Sequence, residues 1–353
     1  MFAHASQDRL LYVGTYTSGK SEGIYIYRMD QMTGELHRAG SVKSDNPSFL
    51  ALDPAKRYLY AVNENPEGKV SAFRINQQTG DLSLLDQQSS AGADPCHLTV
   101  DNRGKSLLVA NYTSGSLAVL PIQRGGAIGE AIDVKQHEGS GPRDQQKGPH
   151  AHCIKLDQAN RHAFAADLGI DKLMIYRFNA ATGKLEAGRQ SSAFVHAGAG
   201  PRHFTIHPNG KYLYVINELD SSLTTFKYNA AQGTLAAFES VSTLPRDFTG
   251  QSFCADIHVS KSGRFIYGSN RGHNSIVVFA IDPRSGRLNL VEHVSTEGKW
   301  PRNFTIDPTG KFLLVANQHT DNVVLFRIDE QTGRLTSTGQ TTEIPIPVCL
   351  QFL

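Results

Sequence analysis

With 353 residues, 35 basic and 33 acidic side chains, the chain is nearly neutral and has no run of Lys and Arg to track a phosphate backbone, which argues against nucleic-acid binding. Its hydrophobic content of 39% suits a globular protein, and no apolar stretch approaches the roughly 20 residues that span a bilayer. Cys96, Cys153, Cys254 and Cys349 show no CxxC spacing, so free thiols in a reducing compartment are expected rather than disulfides or a zinc site. MFAHASQDR lacks the charged start and apolar centre of a secretory signal, and residues 1–8 read as a flexible N-terminus of a cytoplasmic protein.

In chain order, LLYVGTY from Leu10 to Tyr16 is an alternating strand with no partner strand ahead of it. From Pro47, PSFLALDPAKRYLYAVNE reads as strand, tight turn and second strand. The same frame returns at PCHLTVDNRGKSLLVANY from Pro95, AHCIKLDQANRHAFAADL from Ala151 and PRHFTIHPNGKYLYVINE from Pro201. It recurs again at CADIHVSKSGRFIYGSNR from Cys254 and PRNFTIDPTGKFLLVANQ from Pro301. PVCLQFL from Pro347 supplies a first strand without a second, which joins to LLYVGTY to complete a seventh copy. Copies start about 50 residues apart, room for four strands each, as in a propeller blade. The expected fold is therefore all-β: one seven-bladed β-propeller over residues 1–353, four antiparallel strands per blade, closed by pairing of its two terminal strands.

Each second half repeats as well. Strands such as GIYIYRM, KVSAFRI, KLMIYRF, SLTTFKY, SIVVFAI and NVVLFRI precede turns centred on Gly34, Gly80, Gly183, Gly233, Gly286 and Gly333, where a hairpin needs positive φ. The third blade departs and uses the Gly125-Gly126 region.

In an antiparallel pair the start of the first strand and the end of the second share one end, so seven such ends meet on one face. The opening slot there holds Ser48, Cys96, His152, Arg202, Ala255, Arg302 and Val348; the closing slot holds Tyr16, Glu64, Tyr112, Leu168, Glu218, Arg271 and Gln318. The residues just before the closing slot (Asn63, Asn111, Asn217, Asn270, Asn317, with Thr15 and Asp167) are nearly uniform, as a structural position should be. The two slots themselves vary, and His152, Arg202, Glu218, Arg271 and Arg302 fall on one side of the mouth. Arginines fork onto phosphate or carboxylate and stabilise an oxyanion, while a histidine or glutamate takes a proton from water. The alternative is a set of inter-blade salt bridges. Segments 137–152 and 244–253 read as rim loops able to cover a ligand.

At these residues the sequence resembles the seven-bladed propeller lactonases, a family that includes a bacterial 6-phosphogluconolactonase and is related to fungal carboxymuconate cyclase. The resemblance spans essentially the whole chain and is carried best by GAGPRHFTIHPNGKYLYVINELDSS from Gly198, CADIHVSKSGRFIYGSNR from Cys254 and the GPHAH segment ending at His152. It implies an active-site histidine at His152, arginines at Arg202 and Arg271 and a glutamate at Glu218. His150, Asn217, Asp256, His258 and Arg302 are the expected substrate-binding residues, with Asp256 and His258 also readable as a satisfied channel network. The implied reaction is hydrolysis of 6-phosphoglucono-1,5-lactone to 6-phosphogluconate, in the oxidative pentose phosphate pathway. The implied partner is thus a small anionic sugar lactone, for a monomer or weak homodimer. A metal could draw on His150 and His152 with Asp256, Asn217 or Glu218, but the neighbouring arginines would repel a cation, so neither metal nor cofactor is expected. A muconolactone-type cyclase acting on a carboxylated substrate and a non-enzymatic interaction propeller are the alternatives.

Overall fold

The computed structural model describes residues 8–353, so the N-terminus expected to be flexible lies, apart from Asp8, outside the described residues. Seven four-stranded antiparallel sheets follow one another around a ring. Blade 1 pairs Arg9–Thr15 with the C-terminal strand Pro347–Phe352, Leu11 facing Phe352 and Val13 facing Leu350, so the two ends of the chain close the ring. Blades 2 to 7 begin at Leu50–Leu52, Pro95–Val100, Ala151–Leu156, Pro201–Ile206, Phe253–Val259 and Pro301–Ile306. Among the described residues there is no α-helix, only short 3-10 turns at Asp144–Gln146 and Leu168–Ile170.

No single core holds the molecule. Seven apolar clusters each draw on two adjacent blades, because a middle strand buries both of its faces. In Tyr212–Asn217, Leu213 and Val215 pack toward blade 4 while Tyr212, Tyr214 and Ile216 pack toward blade 6. Outermost strands face water and alternate between half-buried and exposed, as in Leu82–Ser89. Polar bolts recur between blades: the hydroxyls of Tyr12, Tyr60, Tyr214 and Tyr267 donate to the carbonyls of Gly80, Gly126, Gly286 and Gly333 in the outer turn of the next blade. Those turns need glycine for two reasons, seen at Gly286, where φ is 74° and an added Cβ would lie 2.5 Å from the Tyr212 ring.

The near-uniform asparagines lock the ring from the channel side. Asn111, Asn270 and Asn317 each donate through Nδ2, at 3.0 Å, to a carbonyl in the segment arriving from the preceding blade (Ser90, Thr243 and Thr296). Such buried links satisfy loop carbonyls that water cannot reach.

Candidate active site

Six of the seven blades open their inner strand with a β-bulge, and the extra residue is the one in the opening slot. In blade 5, Pro201 faces Asn217 and His203 faces Ile216, leaving Arg202 unpaired. A bulge breaks strict alternation and re-aims a side chain, so two consecutive residues turn into the channel. Arg202 with His203 and Arg302 with Asn303 accordingly line one narrow cavity, together with Ser48, Phe49, Cys96 and Val348.

Glu218 is the hub of the mouth. Its Oε2 lies 2.9 Å from Arg202 Nε and 2.8 Å from Arg271 Nη2. Both guanidiniums are also held by backbone: Arg202 Nη1 donates to Ala255 O at 2.6 Å, and Arg271 Nη2 to Cys254 O at 2.9 Å. Arg302 is looser. Its nearest carboxylate oxygen is Glu64 Oε1 at 3.8 Å, and the guanidinium lies 5.3 Å from the centre of the Tyr16 ring. Glu64 in turn accepts from the Tyr16 hydroxyl at 2.8 Å and from Ser48 Oγ.

Three cations thus face two anions in a largely buried site. Burial, helped by Arg271 and Arg302, pulls the Arg202 guanidinium down to about 10, still protonated at neutral pH. Burial works against the Glu218 carboxylate, but Arg271, Arg202 and Arg302 outweigh it and hold its pKa below the ordinary value. Burial likewise opposes charge on Arg302, yet Tyr16 and Glu64 more than compensate, and its pKa is raised. His152 is pushed well below the usual imidazole range by burial and then by Arg202, so it is neutral. Its Nδ1 faces Cys96 Sγ at 3.7 Å, and its ring meets the Tyr112 ring edge-on at 5.4 Å. Cys96 itself is raised well above the ordinary thiol range, by burial first, and is no thiolate nucleophile.

The structure brings His152, Arg202, Glu218, Arg271 and Arg302 to this one mouth. His150 sits at the rim, stacked on Tyr112 at 4.6 Å, with Nδ1 3.1 Å from Tyr112 O. Asn217 Nδ2 donates to Ser222 Oγ and Thr224 Oγ1, both at 2.9 Å, within its own blade. Asp256 lies one layer below the mouth, accepting from His203 Nδ1 at 2.9 Å, His258 Nε2 at 3.0 Å, Asn303 Nδ2 at 2.5 Å and Ile257 N at 2.9 Å. His258 is half-buried, its ring edge-on to Phe304 at 4.9 Å. Among the described residues, no group of three or more His, Cys, Asp and Glu is arranged to hold a metal.

Segment 137–152 is firmly tethered. His137 Nδ1 pairs with Asp167 Oδ2 at 2.6 Å, both wholly buried, and Gln146 Nε2 donates to Leu168 O and Asp171 Oδ1. Asp167 Oδ1 also accepts from His150 N at 2.7 Å, so these anchors fix the strand entry that carries His150 and His152.

Phe49, His97, His203 and Asn303 form a further layer that the repeat pattern alone does not mark as part of the site. The signal was present, since each follows the opening slot of its repeat, but a regular strand would have turned these side chains away from the channel. Burial and then Arg202 push His203 down to about 3, so its imidazole is neutral and donates its Nδ1 proton to Asp256.

A ring of seven four-stranded blades with an arginine–glutamate–histidine cluster at one mouth defines a β-propeller with its candidate site at the channel entrance. The chain belongs to the seven-bladed β-propeller lactonase family, whose model matches residues 10–352. It is 41% identical to the 6-phosphogluconolactonase of Bacillus subtilis over 345 residues, 97% of each chain. It is 38% identical to that of Formosa agariphila over 308 residues, 84% of this chain and 86% of the other. Among solved structures, the periplasmic gluconolactonase PpgL of Pseudomonas aeruginosa superposes with a TM-score of 0.94 at 34% identity, covering 98% of this chain and 99% of that one.

Proposed function

We propose that the chain hydrolyses 6-phospho-D-glucono-1,5-lactone to 6-phosphogluconate without a metal. The observation that carries this reading is the mouth itself, where Arg202, Arg271 and Arg302 outnumber Glu64 and Glu218 beside the neutral imidazole of His152. The relatives named 6-phosphogluconolactonase support the choice of lactone. His152 accepts hydrogen-bond donation from the attacking water and takes its proton as the water oxygen bonds to C1. Arg202 stabilises the oxyanion that develops there, and collapse of the tetrahedral intermediate breaks the C1–O5 bond, with the proton passing to O5. Arg302, whose carboxylate contact is long, and Arg271 receive the phosphate, while Glu218 keeps two guanidiniums in register. A lactone is an activated ester, so modest assistance is enough.

The test is acid release from freshly made 6-phosphogluconolactone, with and without EDTA and beside unphosphorylated gluconolactone, after subtracting spontaneous hydrolysis. Turnover of the phosphorylated lactone alone, indifferent to EDTA and lost in Arg202→Ala, is expected. Turnover only of gluconolactone would favour the second reading, to which the likeness to the Pseudomonas aeruginosa gluconolactonase points. Turnover of neither would remove the assignment and leave a carboxylated lactone or a binding role.

No helix among the described residues is long and apolar enough to cross a membrane. We place the enzyme in the cytoplasm, where a phosphorylated sugar lactone is formed, as a monomer or weak homodimer, which light scattering on the purified chain checks.

A further inference from the structure

The residue ahead of each blade-opening proline has a left-handed backbone: Asn46 (φ 39°), Asp94 (53°), Gly200 (66°), Trp300 (65°) and Ile346 (43°). Asn, Asp and Gly adopt that conformation readily, whereas a bulky side chain is strained in it. Ile346 shows that the blade entry imposes the conformation, so strain alone does not single out Trp300. Its ring does. The Arg271 guanidinium lies 5.3 Å from the centre of the indole, His319 stacks on the indole at 4.9 Å with 14° between planes, and Phe253 tilts against it at 6.2 Å. The backbone is pinned as well: Trp300 N donates to Asn274 Oδ1 at 2.8 Å, and Trp300 O accepts from Gln318 N at 3.0 Å. Arg271 is therefore fixed by Glu218 Oε2, by the carbonyls of Phe253 and Cys254, and by an aromatic plate held in place at a cost in backbone strain.

We infer that Trp300 is a positioning residue for Arg271, and that as the only tryptophan in the chain it reports optically on anion binding at the mouth. The inference rests on the reading that Arg271 meets an anionic substrate. An anion on Arg271 competes for the charge that the indole face now shares, which alters the surroundings of the fluorophore.

Two measurements test it. Titrating the wild-type chain with 6-phosphogluconate should give a saturable change in tryptophan emission, absent with sodium chloride at equal ionic strength and absent in Arg271→Met. Trp300→Phe should keep kcat/KM within about threefold of wild type. Trp300→Asn, which suits the left-handed backbone, should lose about tenfold, chiefly through KM, with Tm within about 2 °C. Equal activity in the Asn variant, equal losses in both variants, or a loss in Asn matched by a large fall in Tm would each overturn the inference. A wild-type chain inactive on every lactone but responsive in emission would instead remove the proposed reaction and leave the positioning role standing.

Discussion

Arg202 is among the largest side chains buried almost completely in the fold, at 2% exposure. A guanidinium so placed is costly unless it is compensated; here Glu218 supplies the counter-charge and Ala255 O accepts from Nη1, while Nε has no hydrogen-bond partner among the described residues. Arg202→Met should lower kcat/KM by about 100-fold or more through loss of oxyanion stabilisation. Stability should change far less, because Glu218 keeps Arg271; steady-state kinetics and urea melts separate the two effects. The histidines predict a pH effect of definite sign. His97, His152 and His203 all titrate below their ordinary value of 6.5 in the folded chain, His203 at about 3, with burial the main cause. Below pH 6.5 the unfolded chain therefore binds more protons than the folded one, and the stability present above that pH is eroded as pH falls toward about 3. Thermal melts should show Tm falling from pH 6.5 to 4.5, with a shallower slope in His203→Gln.

Among the elements, hairpin and bulge have separate tasks. The outer turns fasten one blade to the next, so Tyr214→Phe, which removes the bond to Gly286 O, should cost about 0.5–1.5 kcal/mol in urea unfolding. Gly286→Ala should cost more, about 1–3 kcal/mol, since its positive φ and the Tyr212 ring both oppose a Cβ. Neither change reaches the mouth, and lactone hydrolysis at 25 °C should stay at the wild-type rate in both. The inner-strand bulges, by contrast, create the site, because each adds one channel-facing residue to a regular strand. Turn glycines and alternating strands can be read from the repeat, since period and turn chemistry are local. The bulges cannot, because a residue is extra only relative to its partner strand. For that reason the repeat marks Arg202 as a slot residue and leaves His203 beside it without a role.

For the whole molecule, closure matters most. The strand Pro347–Phe352 completes blade 1 and carries Cys349, Leu350 and Phe352 into the two clusters that join blade 1 to its neighbours. Leu350 and Phe352 contribute about 1.5–3 kcal/mol each when buried. Ending the chain at Ile346 would remove them and leave one edge of Arg9–Thr15 without a partner strand, so the truncated chain should aggregate or melt at least ~10 °C lower, as read by light scattering and circular dichroism. A ring also fixes where chemistry sits. Every blade delivers the same strand ends to one face, and side chains far apart in sequence, such as Glu64 and Arg302, become neighbours.

The repeat in the sequence determined the blade count, the strand order and the split seventh blade, because a period of about 50 residues with fixed turns allows little else. It also marked one side of one face as chemically unlike the rest, since His152, Arg202, Glu218, Arg271 and Arg302 fall together in slots that vary from blade to blade beside a near-uniform asparagine position. Only the tertiary structure decided which groups pair. It joined two arginines to Glu218, set Arg302 beside Glu64 and Tyr16, turned Asn217 to Ser222 and Thr224, and laid Trp300 over Arg271. The reason is physical: periodicity and turn chemistry act over a few residues, whereas charge pairing and burial depend on distances that exist only once the ring has closed.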